Sequence, residues 1–471
     1  MPHKYDYDLV CIGSGSAGGS AAFVAKKAGL RVAIVESTKD KLGGHCPNYA
    51  CVPTKALLKA AQVYKTVKNA GEFGILASDV GFDYKKVAKY RDDIVGQLTG
   101  SRIEKNLHNA GIDLLWGFAK FISDHELEIA DPSNGSSKKY SAANIVIGTG
   151  SKEFIPPIEG LKETGFWVSD DAVKLDTLPE SIIIVGGGPI GTEFSQVFSS
   201  FGVEVTLLQR DAQILQREDK EVADYVQKDL EGRGVRIFTS VEIESVQKVG
   251  SRKVVRIKAS EKEDVLEAHE ILVATGRRAN FEGLNLEAAG LKLTDQGKLE
   301  LNEYLQTSVA HIWAAGDAAG NWQFTHTAAY EGDLVGRNIC HRQDEKVNYD
   351  VVPRVTFCEP EVASVGMTEG QARVKGLDIR IGKYPFGGLG RALIDHDRRG
   401  FVKIIASADD DQILGGHIVG SGAGQLIHEI AVAMKAKIPV TSIAKTIHAY
   451  PTFSEAVAAA AEQFLNLTSR L

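Results

Sequence analysis

Short apolar runs that end at glycine-rich turns recur along the chain and predict alternating strands and helices. Residues 8–12 form the first apolar run, a glycine-rich turn follows at 13–18, and we expect the next helix to reach about Lys27. Residues 31–35 form a second apolar run, which ends at Glu36. This order places the first glycine turn between a strand and a helix.

The first turn has the spacing of a nucleotide-binding motif. Gly13, Gly15 and Gly18 match G-x-G-x-x-G, and Glu36 follows 23 residues after Gly13. Glycines let the backbone approach a pyrophosphate, the N–H groups at the helix terminus receive its charge, and the acid accepts hydrogen bonds from ribose hydroxyls. Glycine-rich turns are common, but the two strands and the acid together predict a dinucleotide site.

The same pattern returns in the middle of the chain. Residues 181–185 are apolar, Gly186, Gly188 and Gly191 lie in the next turn, and another apolar run covers 203–208. The first glycines of the two turns are 173 residues apart, so the sequence predicts two dinucleotide folds. Two such folds indicate electron transfer between two cofactors, and a duplicated fold with one inactive site is the alternative.

Three further apolar strands and a change of pattern complete the organisation. Residues 144–150 and 271–276 each form a strand that ends in a glycine, and we interpret both as points where the chain crosses between domains. Residues 311–317 form a buried strand that ends in an acid. From about residue 351 strands alternate up to one long helix at 425–435, which predicts a separate C-terminal domain.

Length and composition limit the class of protein. The 471 residues suggest about three domains, and a formal net charge of -7 argues against nucleic-acid binding, which needs a basic face. The N-terminus is polar, and no stretch approaches the ~20 apolar residues of a membrane span. Five cysteines are too few for a disulfide framework, which favours the cytoplasm, where a disulfide is catalytic or redox-sensing.

One pair of cysteines carries the predicted chemistry. Cys46 and Cys51, with four residues between them, lie in a loop that begins with two glycines, and Pro53 lies at the start of an apolar-periodic helix. We therefore expect Cys51 near a helix N-terminus, whose partial positive charge favours the thiolate. A zinc site would need two more ligands, whereas the other cysteines are scattered singly, and a glycine-rich loop is a poor place for inert core thiols.

Taken together, these motifs resemble the pyridine nucleotide–disulfide oxidoreductases, the family of dihydrolipoamide dehydrogenase, glutathione reductase and mercuric reductase, over nearly the whole chain. The resemblance implies an α/β fold with two Rossmann-like dinucleotide-binding domains, for FAD and NAD(P), and a C-terminal α+β dimerisation domain. The matching segments are the two glycine turns, the cysteine loop, Glu193, and residues 274–276, 315–317 and 450–455. The implied boundaries are 1–150 and 273–345 for the FAD domain, 151–272 for the NAD(P) domain and 346–471 for the interface domain.

The resemblance also implies roles for individual residues. Cys51 would be the flavin-proximal charge-transfer thiol, and Cys46 the interchange thiol that attacks the substrate. Lys55 and Glu193 would form an ion pair beside the reactive flavin nitrogen, and Glu455 would lie in the partner subunit's active site in a homodimer. The implied cofactor-binding residues are Gly13, Gly15, Gly18, Glu36, Lys55, Gly150 and Asp317 for FAD, and Gly186, Gly188, Gly191, Arg210 and Gly276 around the second site.

The C-terminal motif departs from the disulfide-reducing members of the family. Tyr450 stands directly before the proline, where those members have a histidine that can pass a proton to the departing thiol. Tyrosine, with a pKa of about 10, is a poor base at neutral pH. Mercuric reductase also has tyrosine there, but it carries a C-terminal cysteine pair, which residues 466–471 lack. His448 is a candidate substitute, and Tyr450 and Glu455 stay candidate catalytic residues.

Two further departures concern the cysteine loop and the nucleotide. Ala50 replaces the usual glycine and His45 the usual threonine, so we expect a local rearrangement of the loop. The second strand of the second fold ends at Arg210 and not at an acid. An acid at this position would bind the free ribose of NAD and repel a 2′-phosphate. Arg210, with Arg217, suits that phosphate, so NADP(H) is favoured over NAD(H). The alternative is a solvated surface arginine.

The sequence thus predicts an FAD-dependent NAD(P)H oxidoreductase with a redox-active Cys46–Cys51 disulfide, similar to dihydrolipoamide dehydrogenase. Electrons would pass to a disulfide or another small electrophile. The alternatives are a metal-ion reductase similar to mercuric reductase, a quinone or oxidant reductase, and a flavin-binding subunit without turnover. No bound metal is expected, and the expected partners are a small-molecule substrate and a second copy of the chain.

Overall fold

The computed structural model describes residues 4–133, 135–259, 262–341 and 345–465. The chain forms two compact units, each assembled from separated segments. The first unit consists of Met1–Ala56, Lys89–Phe154 and Gly276–Asn348. The second unit consists of Leu57–Ala88, Ile155–Thr275 and Tyr349–Leu471.

A parallel sheet forms the centre of the first unit. Its paired strands are, in order, Asp113–Trp116, Val32–Glu36, Tyr7–Ile12, Ser137–Ile147 and Ile312–Ala314. Val10 of the central strand pairs with Ala33 on one side and Ile145 on the other, and all three are buried. Burial of both faces explains why these strands are continuous apolar runs rather than alternating ones. The antiparallel strands Glu126–Ala130 and Phe118–Phe121 extend the sheet from Ser137–Ile147.

Two helices of the first unit approach each other closely. A Cβ atom at Gly332 would lie 2.2 Å from the carbonyl oxygen of Ala17, and one at Gly336 would lie 2.8 Å from the Cβ of Val24. These contacts join the helix after the first glycine turn to the helix that begins at Thr325. The helices that lie wholly or partly in this unit are Ser16–Lys27, His45–Tyr49, Cys51–Lys68, Tyr84–Leu98, Ser101–Ala110 and Thr325–His341.

The second unit contains a second parallel sheet and two antiparallel ones. The parallel strands are, in order, Arg236–Phe238, Glu204–Leu208, Ser181–Val185 and Glu270–Val273. The second glycine turn connects Ser181–Val185 to a helix, as the first turn does in the first unit. A three-stranded antiparallel sheet consists of Val241–Val249, Arg252–Ala259 and Lys262–Ala268. The helices between residues 155 and 275 of this unit are Leu161–Thr164, Ser169–Ala172, Pro189–Ser200 and Lys220–Gly232.

The C-terminal segment of the second unit is an antiparallel sheet with helices. The strands are, in order, Arg354–Thr356, Val362–Gly366, Ile413–Gly420, Gly400–Ser407 and Ile379–Pro385. The helices are Glu369–Val374, Gly390–Ile394, Ala423–Lys435, Val440–Lys445 and Glu455–Glu462. The 3₁₀ turns of the chain are Lys39–Lys41, Ala70–Phe73, Leu286–Ala289, Gly316–Ala319 and Phe386–Gly388. The predicted fold class, two Rossmann-like folds and a C-terminal α+β part, is confirmed.

The chain leaves and re-enters the first unit through two adjacent strands. Ser151–Glu153 pairs antiparallel with Arg277–Ala279. The N–H of Asn280 donates to the carbonyl of Gly150 at 3.0 Å, an ordinary length for a backbone hydrogen bond. The segments 144–150 and 271–276, which the sequence pattern predicts as crossing points, end immediately before these two strands.

Candidate active site

Close packing fixes the outer two glycines of the first turn. Gly13 has a φ of 105°, and a Cβ atom there would lie 2.3 Å from the carbonyl oxygen of Gly148. A Cβ atom at Gly18 would lie 2.0 Å from the carbonyl oxygen of Gly13. At Gly15 the nearest atom would be the Cα of Gly44, at 3.6 Å, so packing within the protein does not demand glycine there. A middle glycine that packing does not require fits close approach of a pyrophosphate, as in an FAD site.

Ser14 ties the first turn to the cysteine loop. The buried Glu36 carboxylate accepts hydrogen bonds from the Ser14 N–H at 3.1 Å and from the Ser14 hydroxyl at 2.6 Å. The Ser14 hydroxyl oxygen accepts a third bond, from the N–H of Gly43 at 2.8 Å. The Ser14 hydroxyl therefore connects three segments: the end of the second strand, the dinucleotide turn and the loop that leads to Cys46.

The second turn repeats the geometry of the first. A Cβ atom at Gly186 would lie 2.4 Å from the carbonyl oxygen of Ala274, and one at Gly191 would lie 1.9 Å from the carbonyl oxygen of Gly186. At Gly188 a Cβ atom would meet no atom of the described residues within 4 Å. Close packing at the two outer glycines, with a middle glycine that packing does not require, repeats the pattern of the first turn and fits a second dinucleotide site.

Gln209 occupies the place in the second fold that Glu36 occupies in the first. It follows Gly186 by the same 23 residues, and its side-chain oxygen accepts from the N–H of Gly187 at 2.7 Å. Its amide nitrogen donates to Asp211 at 2.8 Å, which fixes the orientation of the amide. An amide keeps the acceptor of the first fold without its negative charge. The absence of an acid is apparent from the sequence pattern alone, and the equal spacing of 23 residues is the signal that identifies Gln209 as its replacement.

The two cysteines lie at the join of two helices. Cys46 lies in the helix His45–Tyr49, and Cys51 is the first residue of the helix Cys51–Lys68. The two thiols are hydrogen-bonded to each other; this bond, followed by burial, raises the pKa of Cys46. The Sγ of Cys51 also lies 3.4 Å from the Oγ1 of Thr325. The expected position of Cys51 at a helix N-terminus is observed.

Gly44 brings the cysteine loop against the first turn. It has a φ of 82° and a ψ of -170°, and a Cβ atom there would lie 2.6 Å from the Cα of Gly15. Ala50, between the two helices, has a φ of -127° and a ψ of -92°. The local rearrangement expected from alanine at this position stays a prediction.

His45 is neutral at pH 7. Burial lowers the pKa of its imidazole to about 4, and the positive charge of Arg277 acts in the same direction. The ring lies 5.9 Å from the ring of Tyr49, whose hydroxyl donates to Asp40 at 2.6 Å. An uncharged imidazole therefore precedes Cys46 where the family usually has a threonine.

Asp317 lies in a turn that side chains hold on both sides. Its carboxylate accepts from the Ser151 hydroxyl at 2.5 Å, and the Ser151 oxygen accepts from the guanidinium of Arg277 at 2.8 Å. The N–H of Gly316 donates to the Glu331 carboxylate at 2.6 Å, and Glu331 is fully buried. The sequence pattern contained no signal for Glu331, because it lies within an ordinary helical segment.

The remaining predicted residues of the first and second sites are placed as follows. Lys55 lies four residues after Cys51, on the same face of its helix. Glu193 is buried in the helix Pro189–Ser200, and its carboxylate accepts from the N–H of Phe357 at 2.9 Å. Lys55 belongs to the first unit and Glu193 to the second, and their ion pair stays a prediction. Arg210 is exposed directly after the second strand, and its contact with a phosphate also stays a prediction.

The crossing glycines, Gly150 and Gly276, lie where the chain enters and leaves the paired strands. The carbonyl of Gly150 accepts from Asn280, and that of Gly276 accepts from the N–H of Phe154 at 2.9 Å. Both carbonyls are therefore used to join the two crossing segments. A cofactor contact at either glycine stays a prediction.

Tyr450 and Glu455 lie in the C-terminal motif. Tyr450 is 78% exposed, and a Cβ atom at Gly390 would lie 3.0 Å from its hydroxyl oxygen. The Glu455 carboxylate accepts from the N–H of Thr452 at 2.8 Å. The side chain of Tyr450 is therefore largely exposed, and the catalytic roles of Tyr450 and Glu455 stay predictions. The terminal residues 466–471, where mercuric reductase has its cysteine pair, lie outside the described residues.

His448 is bound at both ring nitrogens. Its Nδ1 lies 2.9 Å from the carbonyl oxygen of Thr446, and its Nε2 lies 2.8 Å from the Glu429 carboxylate. Burial opposes protonation, but the bonds to Glu429 and Thr446 outweigh it and raise the pKa of His448. These contacts make His448 a partner of Glu429 and do not support it as a substitute proton donor.

Comparison with known proteins agrees with this geometry. The chain matches the family described as pyridine nucleotide-disulphide oxidoreductase over residues 7–332 and the dimerisation domain of that family over residues 352–461. A mercuric reductase of Staphylococcus aureus is 34% identical over 99% of this chain and 84% of the relative. A dihydrolipoyl dehydrogenase of the same organism is 36% identical over 97% of this chain and 96% of the relative.

Solved structures give the same assignment. The Cu(II) complex of the HOCl-induced flavoprotein disulfide reductase RclA from Escherichia coli has a TM-score of 0.86 at 30% identity, covering 98% of this chain and 99% of that one. LpdA from Mycobacterium tuberculosis has a TM-score of 0.89 at 25% identity, covering 97% and 99%. Within the described residues, no helix has both the length and the apolar character that a membrane crossing requires. The two dinucleotide turns, the cysteine pair and these matches show that the chain belongs to the pyridine nucleotide-disulphide oxidoreductases, a family of FAD-dependent enzymes that use a pyridine nucleotide.

Proposed function

We propose that the protein carries two electrons from NADPH through FAD to the Cys46–Cys51 pair, and from there to a small disulfide. The observation that carries this proposal is the position of the hydrogen-bonded cysteine pair, whose loop Gly43 and Gly44 hold against the first dinucleotide turn. Bound FAD would supply the two-electron carrier between the nicotinamide and the disulfide.

The surroundings of the two thiols support different roles for them. Cys51 begins a long helix, and the partial positive charge of the helix N-terminus favours negative charge on its sulfur. Cys46 holds its proton more firmly, because its hydrogen bond to Cys51 and its burial raise its pKa. Cys51 is therefore the flavin-proximal charge-transfer thiol, and Cys46 is the interchange thiol.

The proposed reaction balances in electrons and protons. The S–S bond breaks as it takes up two electrons and two protons; NADPH supplies the electrons and one proton as hydride, and solvent supplies the other proton. Cys46 then attacks one sulfur of the substrate disulfide, and the first substrate thiol leaves. Cys51 attacks the sulfur of Cys46, which re-forms the S–S bond and releases the second substrate thiol. The protons of the two cysteine thiols pass to the two products.

The cofactor assignments follow from the two glycine turns. Gly13, Gly15, Gly18 and Glu36, with Asp317 on the ribityl chain, would hold FAD, and Lys55 and Gly150 would adjoin it. Gly186, Gly188, Gly191 and Gly276 would hold the nicotinamide nucleotide. NADPH is favoured because Gln209 places a neutral amide where an acid would repel a 2′-phosphate, and the exposed Arg210 follows it directly.

The domain and subunit assignments extend the family match. We assign 1–150 and 273–345 to the FAD domain, 151–272 to the NADPH domain and 346–471 to a homodimer interface. Large apolar side chains exposed in the interface domain support a covered surface there: Leu393 at 53%, Ile394 at 59%, Val432 at 63% and Ile447 at 98%. In this dimer Glu455 and Tyr450 would complete the partner's active site, and Lys55 would pair with Glu193 beside the flavin.

A cytoplasmic location is also part of the proposal. Cys11, Cys340 and Cys358 are thiols in this structure, as are Cys46 and Cys51. A reducing compartment keeps such thiols from forming structural disulfides and leaves the close pair available for turnover.

A metal ion is the second candidate acceptor. Tyr450 is the observation that favours it, because a metal ion takes up electrons without a proton delivered to a leaving sulfur. The similarity to mercuric reductases, and to a disulfide reductase solved with Cu(II), supports a divalent transition- or heavy-metal ion as this acceptor. The comparison of acceptors described below also includes quinones, which would be a third class of acceptor.

Anaerobic titration with NADPH tests the proposed centre. A flavin with a working disulfide takes up four electrons and develops a long-wavelength charge-transfer band, whereas a flavin alone takes up two and shows none. Cys51→Ser should lose the band and keep FAD, and Cys46→Ser should keep a band but stop disulfide turnover. Wild-type rates in both variants would contradict the cysteine mechanism. Steady-state rates with lipoamide, glutathione disulfide, mercuric ion and quinones then separate the acceptors.

A further inference from the structure

Two histidines of the first unit meet where one edge of a strand changes its partner. The first half of Ser137–Ile147 pairs antiparallel with Glu126–Ala130, and its last residues pair parallel with Ile312–Ala314. Both partner strands therefore begin opposite the middle of Ser137–Ile147 and run in opposite directions from there. His125 directly precedes the first partner strand, and His311 directly precedes the second. This topology brings together two side chains that are far apart along the chain.

The two imidazole rings are stacked, and an acid lies beside them. The ring centroids of His125 and His311 are 3.7 Å apart, and the ring planes differ by 5°. The Nε2 of His311 lies 3.8 Å from the Oδ2 of Asp124. Each of the three side chains offers one ligand atom, and these atoms all lie within 4.8 Å of one another. No local spacing predicts this cluster, because His311 follows Asp124 by 187 residues.

We infer that Asp124, His125 and His311 bind one divalent transition-metal ion of the class that prefers imidazole ligands, Zn²⁺ or Cu²⁺. Imidazole nitrogens and carboxylate oxygens are both ordinary zinc ligands, and three protein ligands leave a fourth position for water. The site goes beyond the proposed function and is separate from the cysteine pair. His311 lies at the beginning of the strand Ile312–Ala314, whereas the end of that strand leads to the turn of Asp317.

A backbone carbonyl orients His125 for this role. Its Nδ1 lies 2.7 Å from the carbonyl oxygen of Ala142. A carbonyl oxygen can only accept, so Nδ1 carries the hydrogen and Nε2 of the neutral ring keeps a free lone pair. Metal-binding histidines commonly donate their second nitrogen to a carbonyl or a carboxylate in this way, which fixes the tautomer and the ring orientation.

His311 is the ring that must turn when the ion binds. Rings that face each other at 3.7 Å cannot direct both lone pairs at one ion, so the stack has to open. Tyr5 also stacks on His125, at 4.7 Å between centroids, which helps to hold that ring in place. The Nε2 of His311 lies 3.0 Å from the carbonyl oxygen of Asp124, and the ring exchanges this single bond for the ion. The torsion involved is broad in histidine, and the side chain of His311 is 22% exposed.

The bound ion would join the hairpin turn that contains Asp124 and His125 to the start of the strand Ile312–Ala314. These two segments are otherwise connected through their shared partner strand, Ser137–Ile147. A ligand that binds only the folded protein stabilises it in proportion to the logarithm of its concentration. The ion is therefore expected to stabilise the first unit without taking part in electron transfer.

The experiment measures Zn²⁺ binding to the oxidised holoenzyme, prepared without a histidine tag, by equilibrium dialysis and by thermal unfolding. Zn²⁺ has no redox chemistry, so it cannot act as an electron acceptor in place of the substrate. Zinc binds to cysteine as the thiolate, so oxidation of Cys46 and Cys51 to the disulfide removes both as ligands. The matched control is His108→Gln, because His108 is an exposed histidine of the same unit that belongs to no such cluster among the described residues.

Wild type is expected to bind one Zn²⁺ per chain, reversibly with EDTA. Its thermal midpoint should rise by about 2 °C or more at a hundredfold excess of Zn²⁺ over the dissociation constant. His125→Gln and His311→Gln should each weaken the affinity by at least about tenfold, since loss of a group that merely orients a ligand already costs that much. Asp124→Asn should also weaken it, and His108→Gln should bind as wild type does.

Cu²⁺ gives an independent readout on the same oxidised protein. Its EPR spectrum should show coupling to imidazole nitrogen in wild type and should change in His125→Gln and His311→Gln. If a histidine variant fails to retain FAD, Asp124→Ala decides instead, because the Asp124 side chain is 52% exposed and its removal leaves the stacked rings in place.

Absence of saturable Zn²⁺ binding by wild type would overturn the inference. Equal affinity in wild type and in the variants of Asp124, His125 and His311 would overturn it too, since the ion would then lie elsewhere. An equal loss of affinity in His108→Gln would have the same consequence. None of these results touches the proposed function, because NADPH-driven disulfide reduction is measured without added metal.

Discussion

Gly44→Ala is the substitution for which the structure gives the firmest expectation. Gly44 has a φ of 82° and a ψ of -170°, a region that residues other than glycine almost never occupy. Forcing alanine into this region costs about 1–3 kcal/mol. Its Cβ would also lie 2.6 Å from the Cα of Gly15, so one of the two backbones must move. Overpacking of this kind costs about 1–3 kcal/mol, so the two effects together amount to about 2–6 kcal/mol.

The predicted consequence is local before it is global. The cheapest response is for the cysteine loop to move away from the dinucleotide turn, which breaks the bond from the Gly43 N–H to Ser14. We expect a lower thermal midpoint, weaker retention of FAD and a reduced charge-transfer band. Gly71→Ala is the control, since a Cβ atom there would meet no described atom within 4 Å and its φ is not positive.

The assay is thermal unfolding with excess FAD, together with anaerobic absorbance of the two variants and wild type. Gly44→Ala should melt below Gly71→Ala and show less charge-transfer absorbance per bound flavin. Equal midpoints and equal band intensities in the two variants would refute the reasoning. They would mean that the loop does not depend on its contact with Gly15.

Four further substitutions test the second fold and the C-terminal segment. Arg210→Glu should raise the KM for NADPH about tenfold or more, and Gln209→Glu should shift the preference toward NADH. Unchanged KM values for both nucleotides would show that neither residue takes part in selection. Because the folded-state pKa of His448 is raised, its bond to Glu429 stabilises the protein fully below the unfolded pKa of about 6.5 and less as pH rises through the folded value. Glu429→Gln should therefore lower the unfolding midpoint more at pH 6 than at pH 9, and an equal loss at both would show that the pair is not ionic. Tyr450→His should raise the kcat of disulfide reduction, since general acid–base assistance is typically worth about 10²–10⁴-fold, and an inert variant would show that another group supplies the proton.

The sequence determined the parts of this protein that depend on local spacing. Glycines at fixed intervals between a strand and a helix specify a dinucleotide turn, because only that order places a tight turn and a helix N-terminus together. Two cysteines with four residues between them, followed by a proline, predict a thiol at a helix N-terminus, and Cys51 is found there. Such features can be predicted from the sequence, because the residues that cause them lie close together along the chain.

Only the tertiary structure decided which distant groups support these motifs. Thr325 and Glu331 lie in a helix with no distinctive pattern, yet one contacts Cys51 and the other holds the turn of Asp317. Ser14 joins the cysteine loop to the first turn, although Gly43 is 29 residues away. The exposure of Tyr450 and the full engagement of His448 were equally undetermined by the sequence. The physical reason is that burial and hydrogen-bond partners are set by packing between segments, which local propensity does not encode.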